Sequence, residues 1–147
     1  MNIAEAVATR RSIRAFLDKP VPSETLRRVL DQARMAPSGC NFQPWEATVL
    51  AGAPLKALQE RLLATQPDSP LEYDFSAPGQ YEKYQSRLHS LGARMYESMG
   101  IARDDAEQRA SFAQANMVSF GAPVLLLCHF PKFMKEPQWS DVGMWLQ

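Results

Sequence analysis

"APSGCNFQPWEATVL", residues 36–50, decides how the chain is to be folded. Pro37 cannot continue the helical pattern that runs up to it. Ser38, Gly39, Cys40, Asn41 and Gln43 then gather small hydrogen-bonding groups between Pro37 and Pro44. Trp45 to Leu50 follows as a strand, with Trp45, Ala47 and Val49 on one face. A helix that stops, a dense polar turn and a strand that starts form the junction of an α+β or layered α/β domain. Gly39 lets the backbone approach a ligand, and Ser38, Asn41 and Gln43 offer both donors and acceptors. That set suits the rim of a flat heterocycle with alternating N and C=O groups. The same residues also favour an ordinary Pro-Ser-Gly turn.

Working outward, "VPSETLRRVLDQARM" predicts the helix before the junction. Ser23 is its expected N-cap, Glu24 lies in its first turn, and Leu26, Val29, Leu30 and Ala33 line one side. Asn2 is placed to cap a shorter helix in which Ile3 and Val7 share a face. After the strand, Gly52 turns the chain and Pro54 suits the first turn of a helix carrying Leu55, Leu58 and Leu62. Residues 65–80 have no clear period and are expected to form a long loop, bordered by Phe75, Tyr81 and Tyr84. Tyr81, Tyr84, Leu88, Leu91 and Met95 recur at helical spacing and predict a packing stripe. A further helix is expected from near Asp104 to Phe120. "APVLLLCHF" predicts a strand buried on both faces, and Ser140 is the expected cap of a last helix, "SDVGMWLQ". Two strands do not make a stable sheet alone, so a partner or further sequence is expected to complete it.

The 147 residues suit one domain, with 16 basic and 16 acidic side chains in balance. Such a chain has no long-range pull toward nucleic acid or an anionic membrane. No apolar run approaches the length of a membrane helix, and "MNIAEAVATRR" has no signal-peptide core, so a cytoplasmic location is expected. Cys40 and Cys128, two in all, have neither disulfide nor zinc spacing. Cys40 is expected to pack as a small apolar filler. Cys128 and His129 are strand neighbours facing opposite sides, which predicts a buried thiol and a hydrogen-bonded imidazole rather than a reactive pair. His89 is expected in solvent. Trp139 and Trp145 are expected in a core or interface.

A second polar cluster precedes all of this. "TRRSIRAF", residues 9–16, holds Arg10, Arg11, Ser12 and Arg14 at the exit of the first helix. In an extended segment Arg10, Ser12 and Arg14 point to one side and make an anion clamp, since guanidinium pairs with phosphate through two parallel bonds. The competing explanation is that the arginines only complement the helix dipole.

Taken together, "RRSIRAF" and, about two dozen residues later, "APSGCNFQPW" resemble the FMN-dependent nitroreductase family. "FGAPVLLLCHF" resembles that family's central strand, and "WSDVGMWLQ" the start of a later core helix. The resemblance implies a nitroreductase-like layered α+β fold, with a central, mostly antiparallel sheet flanked by helices and completed in a homodimer. It implies FMN at clefts between two subunits, with NADH or NADPH as donor and a nitroaromatic, quinone or similar flat acceptor. Arg10, Ser12 and Arg14, with Arg11 as neighbour, would hold phosphate and ribityl. Pro37, Ser38, Gly39, Asn41 and Gln43 would lie against the flavin, largely from the other subunit or bridging both. No side chain is expected as nucleophile or general base, because the flavin carries the chemistry, and no metal is expected. The family's chain continues past the helix at Ser140. Residues 1–147 are thus expected to be a single domain matching the N-terminal two-thirds of the usual one. The alternative is a non-catalytic nitroreductase-like domain that binds FMN weakly or a partner chain.

Overall fold

A computed structural model describes residues 2–65, 74 and 76–147. The chain divides into two compact units, one made of Met1–Gln59 with Ser119–Gln147 and the other of Glu60–Val118.

In the first unit, helix α1 (Ile3–Thr9) opens on a capping box. Asn2 Oδ1 accepts from Glu5 N at 2.9 Å, and Asn2 N donates to Glu5 Oε2 at 2.8 Å. These bonds satisfy donors that a helix start otherwise leaves to water. Helix α2 (Ser23–Ala33) starts at Ser23 itself. Pro22 occupies the cap position without a side-chain bond, so Ser23 is not the cap. Leu26, Leu30 and Ala33 turn inward as their spacing requires, while Val29 is exposed.

Strand β1 (Glu46–Ala51) begins one residue later than predicted. It pairs antiparallel with β2 (Val124–His129), in a register running from Glu46 opposite His129 to Ala51 opposite Val124. These are the strands of the sheet among the described residues. Leu126 and Leu127 are exposed, so the expectation of a strand covered on both faces does not hold within one chain. Gly52, with φ +57°, passes β1 directly into α3 (Gly52–Ala64), and only glycine takes that backbone without a Cβ penalty. The third helix therefore starts before Pro54.

The last helix, α6, runs Glu136–Leu146. Pro137 sits in its first turn, where a missing N–H costs nothing. Ser140 is not its cap. It lies inside the helix and gives its hydroxyl to the Pro137 carbonyl at 2.7 Å. Leu55 and Trp145 are the buried large apolar residues, 5% and 7% exposed. Pro44 and Asp141 are the other buried residues of those described.

In the second unit, α4 (Glu82–Ser98) and α5 (Ala106–Gln114) meet where Tyr96 and Phe112 stack edge to face, centroids 6.0 Å apart. The Arg109 guanidinium lies 4.2 Å over the Tyr96 ring. Asp105 caps α5 by accepting from Gln108 N at 2.9 Å. That helix ends well short of Phe120. The predicted stripe on α4 exists by spacing, but Tyr81, Tyr84, Leu88 and Leu91 are exposed instead of packed within the unit. The predicted 65–80 loop falls largely on 66–73 and 75, with Phe75, outside the described residues; Ala77–Gln80 forms a 3₁₀ turn.

Candidate functional site

The turn at 38–43 holds three non-glycine residues in left-handed backbone. Cys40, Asn41 and Gln43 have φ of +52°, +55° and +47°. Non-glycine residues avoid this left-handed region, at about 1–3 kcal/mol each, unless the surroundings hold them there. Gly39, the residue whose freedom the sequence points to, is not among them.

What holds the turn can be named. Gln43 N donates to Ser38 Oγ at 2.9 Å, and the Gln43 side-chain amide donates to Asn41 Oδ1 at the same distance. Asn41 N and Phe42 N close short turns onto Ser38 O and Gly39 O at 3.0 and 3.1 Å. Gly39 N donates to Asp141 Oδ1 of α6 at 3.1 Å. Asn41 and Gln43 are exposed and Ser38 is half-buried. The turn therefore presents a carboxamide N–H₂, a carboxamide oxygen and a hydroxyl on one short loop. Pro37, exposed, lies between the end of α2 at Ala33 and this turn. Cys40 is exposed, not a packed filler; the left-handed backbone lifts it out of the interior.

The N-terminal cluster is organised differently. Arg10 leaves α1 with φ −54° and ψ +131°, and residues 11–16 form neither helix nor strand. Arg11 turns back, its Nη1 donating to Ala8 O at 3.1 Å and to Arg10 O at 3.0 Å. It closes the helix end, as the dipole explanation requires. Arg14 lies 5.9 Å over the Phe120 ring. Phe120 itself belongs to a second left-handed turn, with Ser119, Phe120 and Gly121 at φ +54°, +52° and +75°. Arg10, Ser12 and Arg14 are exposed. No hydrogen bond or ion pair joins this cluster to the 38–43 turn among the described residues.

Two features escaped the sequence reading. Asp141, 3% exposed, is the buried carboxylate behind the turn. An apolar groove of about 520 Å³ lies just after Arg14, with Ala15, Phe16, Leu17 and Val21 on one side and Ala122 to Val124 on the other. Along β1 and β2, His129 Nε2 lies 3.2 Å from Thr48 Oγ1, and its Nδ1 lies 3.5 Å from Glu46 Oε2. Cys128, on the other side of its strand, is half-buried, and that burial raises its thiol above the usual pKa. A thiol held protonated is a poor nucleophile. His89 is exposed on α4. Trp145 is buried, whereas Trp139 is 42% exposed. No helix among the described residues is long and apolar enough to cross a membrane.

Fold and site together define a nitroreductase-like α+β protein. The Nitroreductase family profile matches residues 7–145, and the chain belongs to that family. It is 35% identical over 142 residues to a 4-nitrobenzoate reductase of Pseudomonas putida, a match covering 96% of this chain and 63% of that protein. It is 32% identical over 140 residues to nitroreductase NfnB of Mycolicibacterium smegmatis, covering 94% and 60%. Among solved structures, it superimposes on the FMN and NADPH-dependent nitroreductase NfnB of sphigopyxis sp. strain HMH with a TM-score of 0.89 and 41% identity. That match covers 99% of this chain and 67% of the other. The chain thus spans less than two thirds of the length of the first two relatives.

Proposed function

We propose that this chain belongs to an FMN-dependent oxidoreductase that passes electrons from NADH or NADPH to a nitroaromatic, quinone or similar flat acceptor. The observation that carries the proposal is the braced left-handed turn. It offers Ser38, Asn41 and Gln43 to a planar, hydrogen-bonding ligand at a cost in backbone energy that folding alone does not explain. The donor set fits FMN. Arg10 and Arg14 supply exposed cations for the phosphate and Ser12 a hydroxyl for the ribityl chain. Pro37, Ser38, Gly39, Asn41 and Gln43 supply the rim of the ring. Arg11 supports Arg10 by closing α1. The flavin, once bound, supplies hydride acceptance and electron transfer. The chain's residues bind and orient it, and none is required as nucleophile or general base. The names of the relatives and of the solved neighbours support this choice of cofactor and chemistry.

Among the described residues no hydrogen bond or ion pair joins the two clusters, and the β1–β2 sheet and the α4 stripe leave apolar faces exposed. Both support a homodimer in which the 38–43 turn of one protomer meets the arginine cluster of its partner. The test is a titration with FMN, followed by anaerobic addition of NADH or NADPH and then 4-nitrobenzoate. Bound flavin that bleaches with nicotinamide and recovers with the nitro compound is expected, in a species of twice the monomer mass by light scattering. Protein that binds flavin and leaves it oxidised would favour the non-catalytic alternative.

A further inference from the structure

We infer that Asp141 is a positioning residue for the flavin-facing turn, acting through the Gly39 N–H. This rests on the reading of that turn as the flavin site. Most bonds that hold the turn are local, made between residues two to five apart. Local bonds form as easily in a loose loop as in a placed one. Gly39 N to Asp141 Oδ1, 3.1 Å across 102 residues, ties the turn to another element. It fixes where the turn points.

The carboxylate is expensive at this position. It is 3% exposed, and its Oδ2 is buried with no hydrogen-bond partner among the described residues. A buried polar atom left unsatisfied opposes folding, so packing alone would favour an apolar residue here. Asp141 and Trp145 stand four residues apart and share one buried face of α6. The tryptophan seats the helix, and the aspartate reaches from that seat to the turn. Oδ2 lies 3.9 Å from where a Cβ on Gly39 would stand, so the whole carboxylate is set against the Gly39 backbone. Three left-handed residues follow within the next four positions. A strained turn keeps its shape only where its surroundings over-determine it, and Asp141 supplies the long-range share of that constraint.

The test begins on the unaltered protein without flavin, labelled with ¹⁵N and ¹³C. A scalar coupling across the hydrogen bond between Gly39 N and the Asp141 carboxyl carbon is expected, together with slow exchange of the Gly39 amide. Absence of the coupling, with exchange as fast as in a solvated loop, would overturn the inference without any variant having to fold. Asp141→Ala should then speed Gly39 exchange and weaken FMN binding by about tenfold each, the loss of one hydrogen bond to a carboxylate. Asp141→Asn keeps an acceptor oxygen and should restore both to within about threefold, because less than one hydrogen bond is lost. A residue needed only for folding would lower the melting temperature in both variants and show no such rescue. An Asp141→Ala protein with fast Gly39 exchange and unchanged FMN affinity would also overturn the positioning role. If the coupling is present but no variant, nor the parent, binds FMN, the tether stands and the flavin assignment fails.

Discussion

The segment at 10–14 and the turn at 38–43 are both polar and both belong to the first unit, yet they are built in opposite ways. The first leaves a seven-residue helix and keeps Arg10, Ser12 and Arg14 in solvent. The second holds three residues in left-handed backbone with side-chain bonds and a buried carboxylate behind it. On the proposed function, the difference teaches which end of the flavin each is suited to hold. A phosphate is a strong, nearly isotropic charge, and flexible guanidiniums can close on it as it arrives. A ring edge presents donors and acceptors at fixed angles, so its partner must be in place beforehand.

The contrast breaks most severely at Trp145. Trp145→Ala removes the side chain that seats α6 and should cost about 3–5 kcal/mol, a large part of a domain's total stability. A calorimetric midpoint that barely moves would show that the turn is not supported from α6. Next come the arginines. Arg10→Ala or Arg14→Ala should weaken FMN binding by about 1.5–3 kcal/mol, or one to two decades, while the melting of flavin-free protein stays unchanged for Arg10→Ala and falls only by the loss of the Phe120 contact, about 0.5–1 kcal/mol, for Arg14→Ala. A fall in melting temperature with intact affinity would make them structural and erase the distinction. Ser38→Ala is a smaller test of the other side. It deletes the acceptor for Gln43 N–H, and about 1 kcal/mol of stability should go with it. If urea unfolding is unchanged, that bond does not brace the turn. Smallest is Cys40→Gly. Left-handed backbone costs an L-residue about 1–2 kcal/mol, of which glycine returns about half through its freer unfolded chain. The variant should therefore be slightly more stable, by about 0.5–1 kcal/mol in the same assay. A less stable variant would mean that the thiol makes a favourable contact.

The parts of the fold legible in the sequence were those set by neighbours along the chain. The Asn2 cap depends on Glu5, three residues on, and α2 and α4 announce themselves by period. The start of α6 was misplaced because Ser140 is an ordinary cap residue by type, and nothing nearby shows that its hydroxyl is taken by the Pro137 carbonyl. Exposure of Leu127 on β2 and Tyr81 before α4 was illegible for another reason. Apolar residues report that a face is to be covered, not whether the same chain covers it. In the site, Ser38, Asn41 and Gln43 stood out by residue type. Asp141 did not, since a lone aspartate in a helix reads as solvated until its distant partner is known. The left-handed residues were hidden by Gly39, which attracts the inference of unusual backbone while its neighbours adopt it.

The antiparallel register has a consequence for how such a chain can diverge. Between Gln43, the last left-handed residue of the turn, and Glu46, paired with His129, lie only Pro44 and Trp45, with Pro44 buried. One inserted or deleted residue here would exchange the two faces of β1 or shift the turn away from α6. Substitutions at Trp45 are a matter of degree; changes of length are not. Across descendants of this chain, the segment from Ser38 to Glu46 should vary in composition while keeping its count. Comparing tolerated insertions here with those in the exposed Asp18–Lys19 stretch is a direct way to see it.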